Sequence, residues 1–217
     1  DLTADNDPWE PLNRQLYRSN YVLDGLVLKP VTQIYRGVMP QRGQDMVHNA
    51  VENLQEPITF GNSVLQADPQ NSFTSLWRFL LNSTIGLGGL FDVASEVGLV
   101  ARRTDFGQTL ALYGVESGPY LFLPVLGPSG LRDGVGRVAD AFMHPAMYVD
   151  DNGTAIAIWA VTAVDTRSQY YDIINDIQKT SLDPYVTFRS AYTQRRANEI
   201  KKARAARDAA WKKAAGQ

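Results

Sequence analysis

The stretch GPYLFLPVLGPSGLRD, residues 118–133, sets seven uncharged residues, Tyr120 to Leu126, between two Gly-Pro pairs before charge returns at Arg132 and Asp133. Pro119 and Pro124 each remove a backbone donor, so neither a helix nor an ordinary strand fits. What fits is a short extended arm, a turn and a return arm, with Gly118 and Gly127 as the bends. Side chains alternate along such an arm, which puts Tyr120 and Phe122 on one face and Leu121 and Leu123 on the other. Both faces are apolar, and Val125 and Leu126 continue the apolar run. A surface hairpin would carry one polar face, so this one is predicted to be covered on both sides, either by protein alone or by protein on one side and lipid on the other.

The sequence around the hairpin reads as helix. Asp7-Pro8-Trp9-Glu10, Asp68-Pro69 and Asp183-Pro184 place an acceptor before a proline at the first helical position, and Asp105-Phe106-Gly107-Gln108 repeats the cap with Gln three residues on. Apolar residues recur at helical spacing in Met46, Val47, Ala50, Val51, Leu54, in Phe73, Leu76, Trp77, Leu80, and in Leu131, Val135, Val138, Ala139, Phe142. Residues 154–179 are predicted to form the longest core helix, with Ile156, Trp159, Tyr170, Ile173, Ile174 and Ile177 as contacts. In RFLLNSTIGLGGLFDVASEVGL, residues 78–99, a helix runs into Asn82, Ser83 and Thr84 and then into Gly86, Gly88 and Gly89. That glycine density suits either a tight interhelical turn or a hinge beside a site.

With 217 residues the chain suits one domain. The formal charge of −2 gives no overall pull toward nucleic acid, but it is unevenly spread: residues 189–213 carry +7 and the remainder −9. The basic segment is Ala-rich, with Ile200 and Trp211 as its only large apolar residues after Arg195, and is predicted to project as a tail. There is no cysteine, which removes disulfides and thiol nucleophiles. The longest apolar run, Ala155 to Val164, is about half the ~20 residues a helix needs to cross a bilayer.

DPWEPLNRQLY, RFLLNSTIGLGGLFDVA and DFGQTLALYGVESGPYLFLPVLGPSGLRD closely resemble the signature segments of the MlaA (VacJ) lipoproteins of Gram-negative outer membranes, in the family's order. The resemblance covers about Asp7 to Tyr192, and the family's acylated cysteine is absent from it. It implies a mainly α fold: a ring of amphipathic helices in the membrane plane with one short apolar hairpin, a helical lipid-channel domain at 1–192, and a basic C-terminal helix or tail at 193–217. It also implies location in the inner leaflet of the outer membrane facing the periplasm, a lipid anchor on a cysteine preceding Asp1, a trimeric porin of the OmpC/OmpF type as neighbour, and phospholipid as transported ligand. The phospholipid would be handed to the periplasmic carrier MlaC, with no cofactor.

On that reading an acyl path must be shielded throughout, since wetting about thirty methylenes at roughly 0.8 kcal/mol each costs on the order of 20 kcal/mol. The hairpin residues Gly118, Tyr120, Leu121, Phe122, Leu123, Val125, Leu126 and Gly127 are the candidates for that wall. Asn20 and Tyr21, in NRQLYRSNY on the first predicted helix, where the resemblance implies contact with the ring, and Gly86, Gly88 and Gly89 are candidates for a gate or hinge. Asn82, Ser83 and Thr84 are polar lining candidates. Arg195, Arg196, Lys201, Lys202, Arg204 and Arg207 would dock the carrier or an anionic surface.

Two other classes compete. A porin-associated protein without a transport path would show the same apolar helix faces. A phospholipase would need a nucleophile, and GPSGL at 127–131 misses the G-x-S-x-G elbow at Leu131, so Ser129 is predicted to cap the next helix instead. His48, on the edge of an amphipathic stripe, and His144, before a proline, read as structural or surface residues rather than bases; His144, Asp150 and Asp151 have no recognisable ligand spacing, and no phosphate-cradling glycine loop occurs.

Overall fold

A computed structural model describes residues 6–100 and 102–214, and among them helices dominate. In chain order they are α1 (Glu10–Leu23), a π-helical turn (Asp24–Leu28), α2 (Lys29–Val38), α3 (Gln41–Leu65), α4 (Pro69–Thr84), α5 (Val93–Glu96) and α6 (Phe106–Leu112). Then come β1 (Tyr120–Leu123), β2 (Gly127–Gly130), α7 (Leu131–Ala141), a 3-10 turn (Pro145–Tyr148), α8 (Asn152–Gln169), α9 (Tyr171–Thr180) and α10 (Pro184–Ala214). They group into two compact units, each built from separate stretches of sequence. One takes the chain up to Leu26, Phe106–Val138 and the chain from Tyr170 on; the other takes Val27–Asp105 and Ala139–Gln169. The basic segment therefore does not stand apart but belongs to the hairpin's unit.

Three of the helix starts follow the cap readings. Asp68 accepts from Asn71 N at 3.0 Å ahead of α4, α6 begins directly after Asp105, and Asp183 accepts from Val186 N at 3.2 Å ahead of α10. The first start differs: α1 begins at Glu10 with no side-chain cap, because the Asp7 carboxylate is turned to Asn13, Tyr185 and Arg189.

In the second unit the helices are amphipathic with the polar stripe inside. Along α4 the buried residues are Asn71, Ser75, Arg78 and Asn82, while Phe73, Leu76, Trp77 and Leu80 are exposed. Along α3, Asn53, Glu56, Thr59, Asn62 and Ser63 are buried, with Val51 and Ile58 the apolar exceptions. The seam closes through hydrogen bonds: Asn71 donates to Ser63 Oγ at 2.7 Å, Asn53 to Ser83 Oγ at 2.9 Å, and Asn62 to Asp140 at 2.8 Å. Outward, Ile34 on α2 is 66% exposed and Val38 80%.

The predicted long core helix at 154–179 is two helices, α8 and α9, parted at Tyr170. Ile156, Trp159, Tyr170 and Ile173 point outward, and the residues α8 buries are Asp165 and Arg167. In water so much exposed apolar area would forgo ~25 cal/mol per Å² of burial. Facing hydrocarbon it forgoes nothing, while polar groups there must find their partners within the protein. No helix among the described residues is long and apolar enough to cross a membrane.

Candidate functional site

β1 and β2 pair antiparallel in the register Tyr120–Gly130, Leu121–Ser129, Phe122–Pro128 and Leu123–Gly127. The hairpin is wider than the Gly-Pro bracket suggests, because the return arm is Gly127–Gly130 and the turn is Pro124-Val125-Leu126. Gly118 and Gly127 take φ of +65° and +76°, as their reading as bends requires. One face is sealed by protein: Tyr120 is 1% exposed and packs with Phe122, Tyr185 and Tyr192. Tyr17 meets Phe122 edge to face at 5.5 Å. Leu121 and Leu123 are half-buried, and at the tip Val125 and Leu126 are 61% and 60% exposed.

The outer edge of β1 is paired by three asparagines spaced seven apart. Asn6 accepts from Tyr120 N at 3.0 Å through its carbonyl and donates to Gly118 O at 3.0 Å through its side chain. Asn13 donates to Tyr120 O at 3.0 Å and accepts from Phe122 N at 2.9 Å. Asn20 donates to Leu123 O at 2.8 Å and accepts from Val125 N at 2.9 Å. These amides replace a third strand and leave no open sheet edge. From α7, Arg137 donates to Leu126 O and Pro128 O, both at 3.1 Å.

Behind β2 the Tyr192 hydroxyl accepts from Gly130 N at 3.2 Å and donates to Asp133 at 2.6 Å. Asp133 also receives Arg132 at 3.0 Å and Arg196 at 2.8 Å. Burial pushes the Asp133 carboxyl up, but the hydrogen bond and charge of Arg196, with Tyr192 and Arg132, hold it below the usual carboxylate range. Burial and the neighbouring Asp133 charge push the Tyr192 phenol well up, so it stays a donor. Ser129 is buried in β2 with its hydroxyl on Gly130 O at 3.1 Å, so it is neither a helix cap nor an exposed nucleophile.

Asn20 is thus fastened to the hairpin, and the adjacent Tyr21 is exposed. The glycine loop lies in the other unit and is packed. A Cβ on Gly86 would sit 2.3 Å from Phe91 O, and one on Gly89, where φ is +93°, 2.7 Å from the Asn53 side chain. Of the three glycines only Gly88 has open space. Asn82 is buried, donating to Asp92 at 3.0 Å and accepting from Ala94 N at 2.9 Å; the Ser83 hydroxyl receives Asn53, and Thr84 donates to Leu80 O of its own helix at 2.6 Å. These groups organise the loop around Arg78, which reaches Glu56 at 2.6 Å, Ser95 at 2.9 Å, Leu99 O at 2.7 Å and Asp92.

The basic segment does not project from its start. Arg196 is buried on Asp133, Ile200 and Ala203 are buried, and Arg204 and Arg207 donate to Ala111 O and Leu112 O at the end of α6, at 3.4 and 2.8 Å. Cations suit that helix end. The stripe Arg196, Ile200, Ala203, Arg207 runs at helical spacing, but its small alanine hides it from a search for large apolar residues. Arg195, Lys201 and Lys202 are exposed, with Arg195 beside Glu199 at 3.5 Å; the side chain of Trp211 lies outside the described residues.

His144 is 1% exposed, stacks on Trp159 at 4.4 Å and accepts from Ala146 N at 3.2 Å. Burial holds its imidazole below the usual histidine range. The unfolded chain therefore binds a proton before the folded one does, and stability present above pH ~6.5 falls as pH drops below it. His144→Asn, which keeps an acceptor for Ala146 N, is expected to flatten the fall in melting temperature between about pH 7 and pH 5 in detergent. An unchanged slope would place the acid sensitivity elsewhere.

One unit whose helices keep polar seams inside and apolar faces outside, and another with a hairpin whose apolar tip is exposed, define a membrane-associated helical protein. The family model for the MlaA lipoprotein matches residues 5–199, and the chain belongs to that family. It is 37% identical over 199 residues to the "Intermembrane phospholipid transport system lipoprotein MlaA" of Escherichia coli (strain K12), covering 90% of this chain and 78% of that one. The lipoprotein of the same name from Haemophilus influenzae is 34% identical over 194 residues, with 87% and 77% covered. An uncharacterized protein of Rickettsia typhi is 40% identical over 186 residues, with 85% and 74% covered. A solved chain from "Structural basis for maintenance of bacterial outer membrane lipid asymmetry" superposes with a TM-score of 0.77 at 35% identity, covering 89% of this chain and 98% of that chain.

Proposed function

We propose that the protein belongs to a phospholipid transport system of the Gram-negative outer membrane, removing mislocalised phospholipid from the outer leaflet and handing it to the periplasmic carrier MlaC. Transport is passive, through an amphipathic channel within a ring of helices lying in the inner leaflet beside an OmpC/OmpF-type trimeric porin, and a lipid anchor holds the native form. Family membership supports the system. The observation that carries the reading is the inverted arrangement of α4, polar Asn71, Ser75, Arg78 and Asn82 within and apolar Phe73, Leu76, Trp77 and Leu80 without, since it suits a protein bathed in lipid. The half-covered hairpin with Val125 and Leu126 at its tip supplies an apolar surface for an acyl chain. The reading is non-enzymatic. It is tested by purifying the chain with porin in detergent and assaying bound phospholipid, together with outer-leaflet phospholipid in cells lacking the protein; normal leaflet composition in those cells would refute it, and a porin complex free of lipid would favour the purely structural role.

In the same reading the exposed cations Arg195, Lys201 and Lys202 dock the carrier. Truncation after Tyr192 is a poor test, because it removes the buried Arg196, Ile200 and Ala203. Replacing the three exposed cations by glutamate leaves those contacts in place and is expected to weaken carrier binding in detergent by about tenfold at low salt. Unchanged carrier affinity with weaker binding to anionic liposomes would make the segment a membrane-surface anchor instead.

A further inference from the structure

On α7, Asp133 and Arg137 stand four residues apart, the spacing at which a carboxylate and a guanidinium on one helix pair. They do not pair here. Asp133 is held in the buried cluster with Arg132, Arg196 and Tyr192, and its charge is taken up there. Arg137 reaches the hairpin turn instead, donating to Leu126 O and to Pro128 O, both at 3.1 Å. Among the described residues no carboxylate lies within ion-pair distance of it. The side chain is half-buried, and its neighbours are apolar: Val125 and Leu126 at the tip, and Val138 beside it on α7, are each about 60% exposed. Leu123 extends this surface onto α7, since a Cβ on Gly134, one turn before Arg137, would lie 3.8 Å from Leu123 Cδ1.

A carbonyl orients a guanidinium without neutralising it. The two carbonyls at the turn take two of its N–H groups, a guanidinium has five, and its flat fork matches the oxygens of a phosphate. A cation without a counter-charge is costly beside side chains that acyl chains cover, and an anion removes that cost. A phospholipid brings the anion and the acyl chains in one molecule. Resting on the reading of the tip as part of a lipid path, we propose that Arg137 binds the phosphodiester of a phospholipid whose acyl chain lies on Val125 and Leu126. The hairpin tip is then a station for the headgroup as well as an apolar wall, and the side chain that holds the lipid's polar end is the one that braces the turn.

The test is lipid binding to the full chain in detergent, followed by native mass spectrometry, with dioleoylphosphatidylethanolamine and dioleoylglycerol as probes. The two share their acyl chains, and only the first has a phosphate; it carries no net charge, so the exposed cations of α10 add little to its binding. The unmodified chain is expected to hold the phospholipid about tenfold more tightly than dioleoylglycerol. Arg137→Gln should abolish that preference and leave dioleoylglycerol binding as it was, and Arg137→Lys, a point charge in place of a fork, should keep part of it. Should Arg137→Gln fail to fold, the unmodified chain decides, because equal affinity for the two lipids would overturn the proposal. Phospholipid binding unaltered by Arg137→Gln would also overturn it, and weaker binding of both probes to the Val125→Asp, Leu126→Asp chain would then leave the tip in the lipid path. Both probes unaffected by that double variant would remove the path from the tip, and the role of Arg137 with it.

Discussion

Cells whose only copy carries Val125→Asp together with Leu126→Asp are expected to accumulate outer-leaflet phospholipid as if the protein were missing, at normal protein level. The tip is well exposed, so neither change removes a packed side chain, and exposed substitutions of this kind usually shift stability by about 0.5 kcal/mol or less. Residue 125 even gains locally: it holds φ of +65°, where valine is strained and aspartate is tolerated. The Asn20 and Arg137 hydrogen bonds to the turn use backbone atoms and survive. What changes is the medium the tip offers an acyl chain. Carboxylates at depth in hydrocarbon cost about 2.5–3.5 kcal/mol each on insertion scales, so a path along this tip should slow by at least a hundredfold. Normal leaflet composition with the double variant in place would remove the tip from the lipid path.

Arg78→Met is expected to have the largest effect on folding. Its guanidinium is the common partner of Glu56, Asp92, Ser95 and the Leu99 carbonyl, and it ties the middle of the segment between α4 and α6, on either side of α5, to α3. Methionine fills similar space but leaves the buried Glu56 carboxylate without its counter-charge. Burial pushes that carboxyl up, and only the Arg78 hydrogen bond and charge oppose it. Breaking one side of a buried pair costs about 3–5 kcal/mol, a large share of a stability of roughly 5–15 kcal/mol. Denaturant unfolding in detergent measures it, and Arg78→Met combined with Glu56→Met should recover part of the loss because no buried charge is then stranded. A loss below about 1 kcal/mol in the single variant would mean that Glu56 finds another partner.

The hairpin, three helix starts and the stripes at 46–54, 73–80 and 131–142 were legible in the sequence because each rests on a local rule: proline without a donor, aspartate before an N-terminus, apolar residues at 3.6 spacing. The direction of the stripes was not. Periodicity reports that Phe73, Leu76, Trp77 and Leu80 share a face, but the solvent on that face is a property of the surroundings, and in hydrocarbon the usual assignment reverses. The buried stripe Asn71, Ser75, Arg78, Asn82 has the same helical spacing and was equally readable. Ile156 and Trp159 were misplaced for the same reason. Gly86 and Gly89 could be read as flexible or as close-packed, and only the nearness of Phe91 O and Asn53 decides for packing. Of the hairpin's supports, Asn20 was flagged through resemblance alone, whereas Asn13, buried deeper, carries no propensity signal. The sevenfold spacing of Asn6, Asn13 and Asn20 was the available clue.

That spacing makes α1 a ruler. Seven residues of helix rise about 10.5 Å, and the step from the Tyr120–Phe122 pair to the Leu123–Val125 pair is three residues of strand, roughly 10 Å. Two unlike periodicities come into phase here, and they do so only at this interval. One residue inserted or removed between Asn13 and Asn20 would swing the second amide by ~100° around the helix and shift it ~1.5 Å along it, so the tip would lose its clasp while the base kept its own. Length changes in this part of the chain are therefore constrained twice over: a whole heptad keeps the amides in line but overshoots the strand by about two turns, and four residues return near the same face but overshoot it by about one. The same mismatch makes α1 a calibrated spacer that other hairpins of different reach could not share.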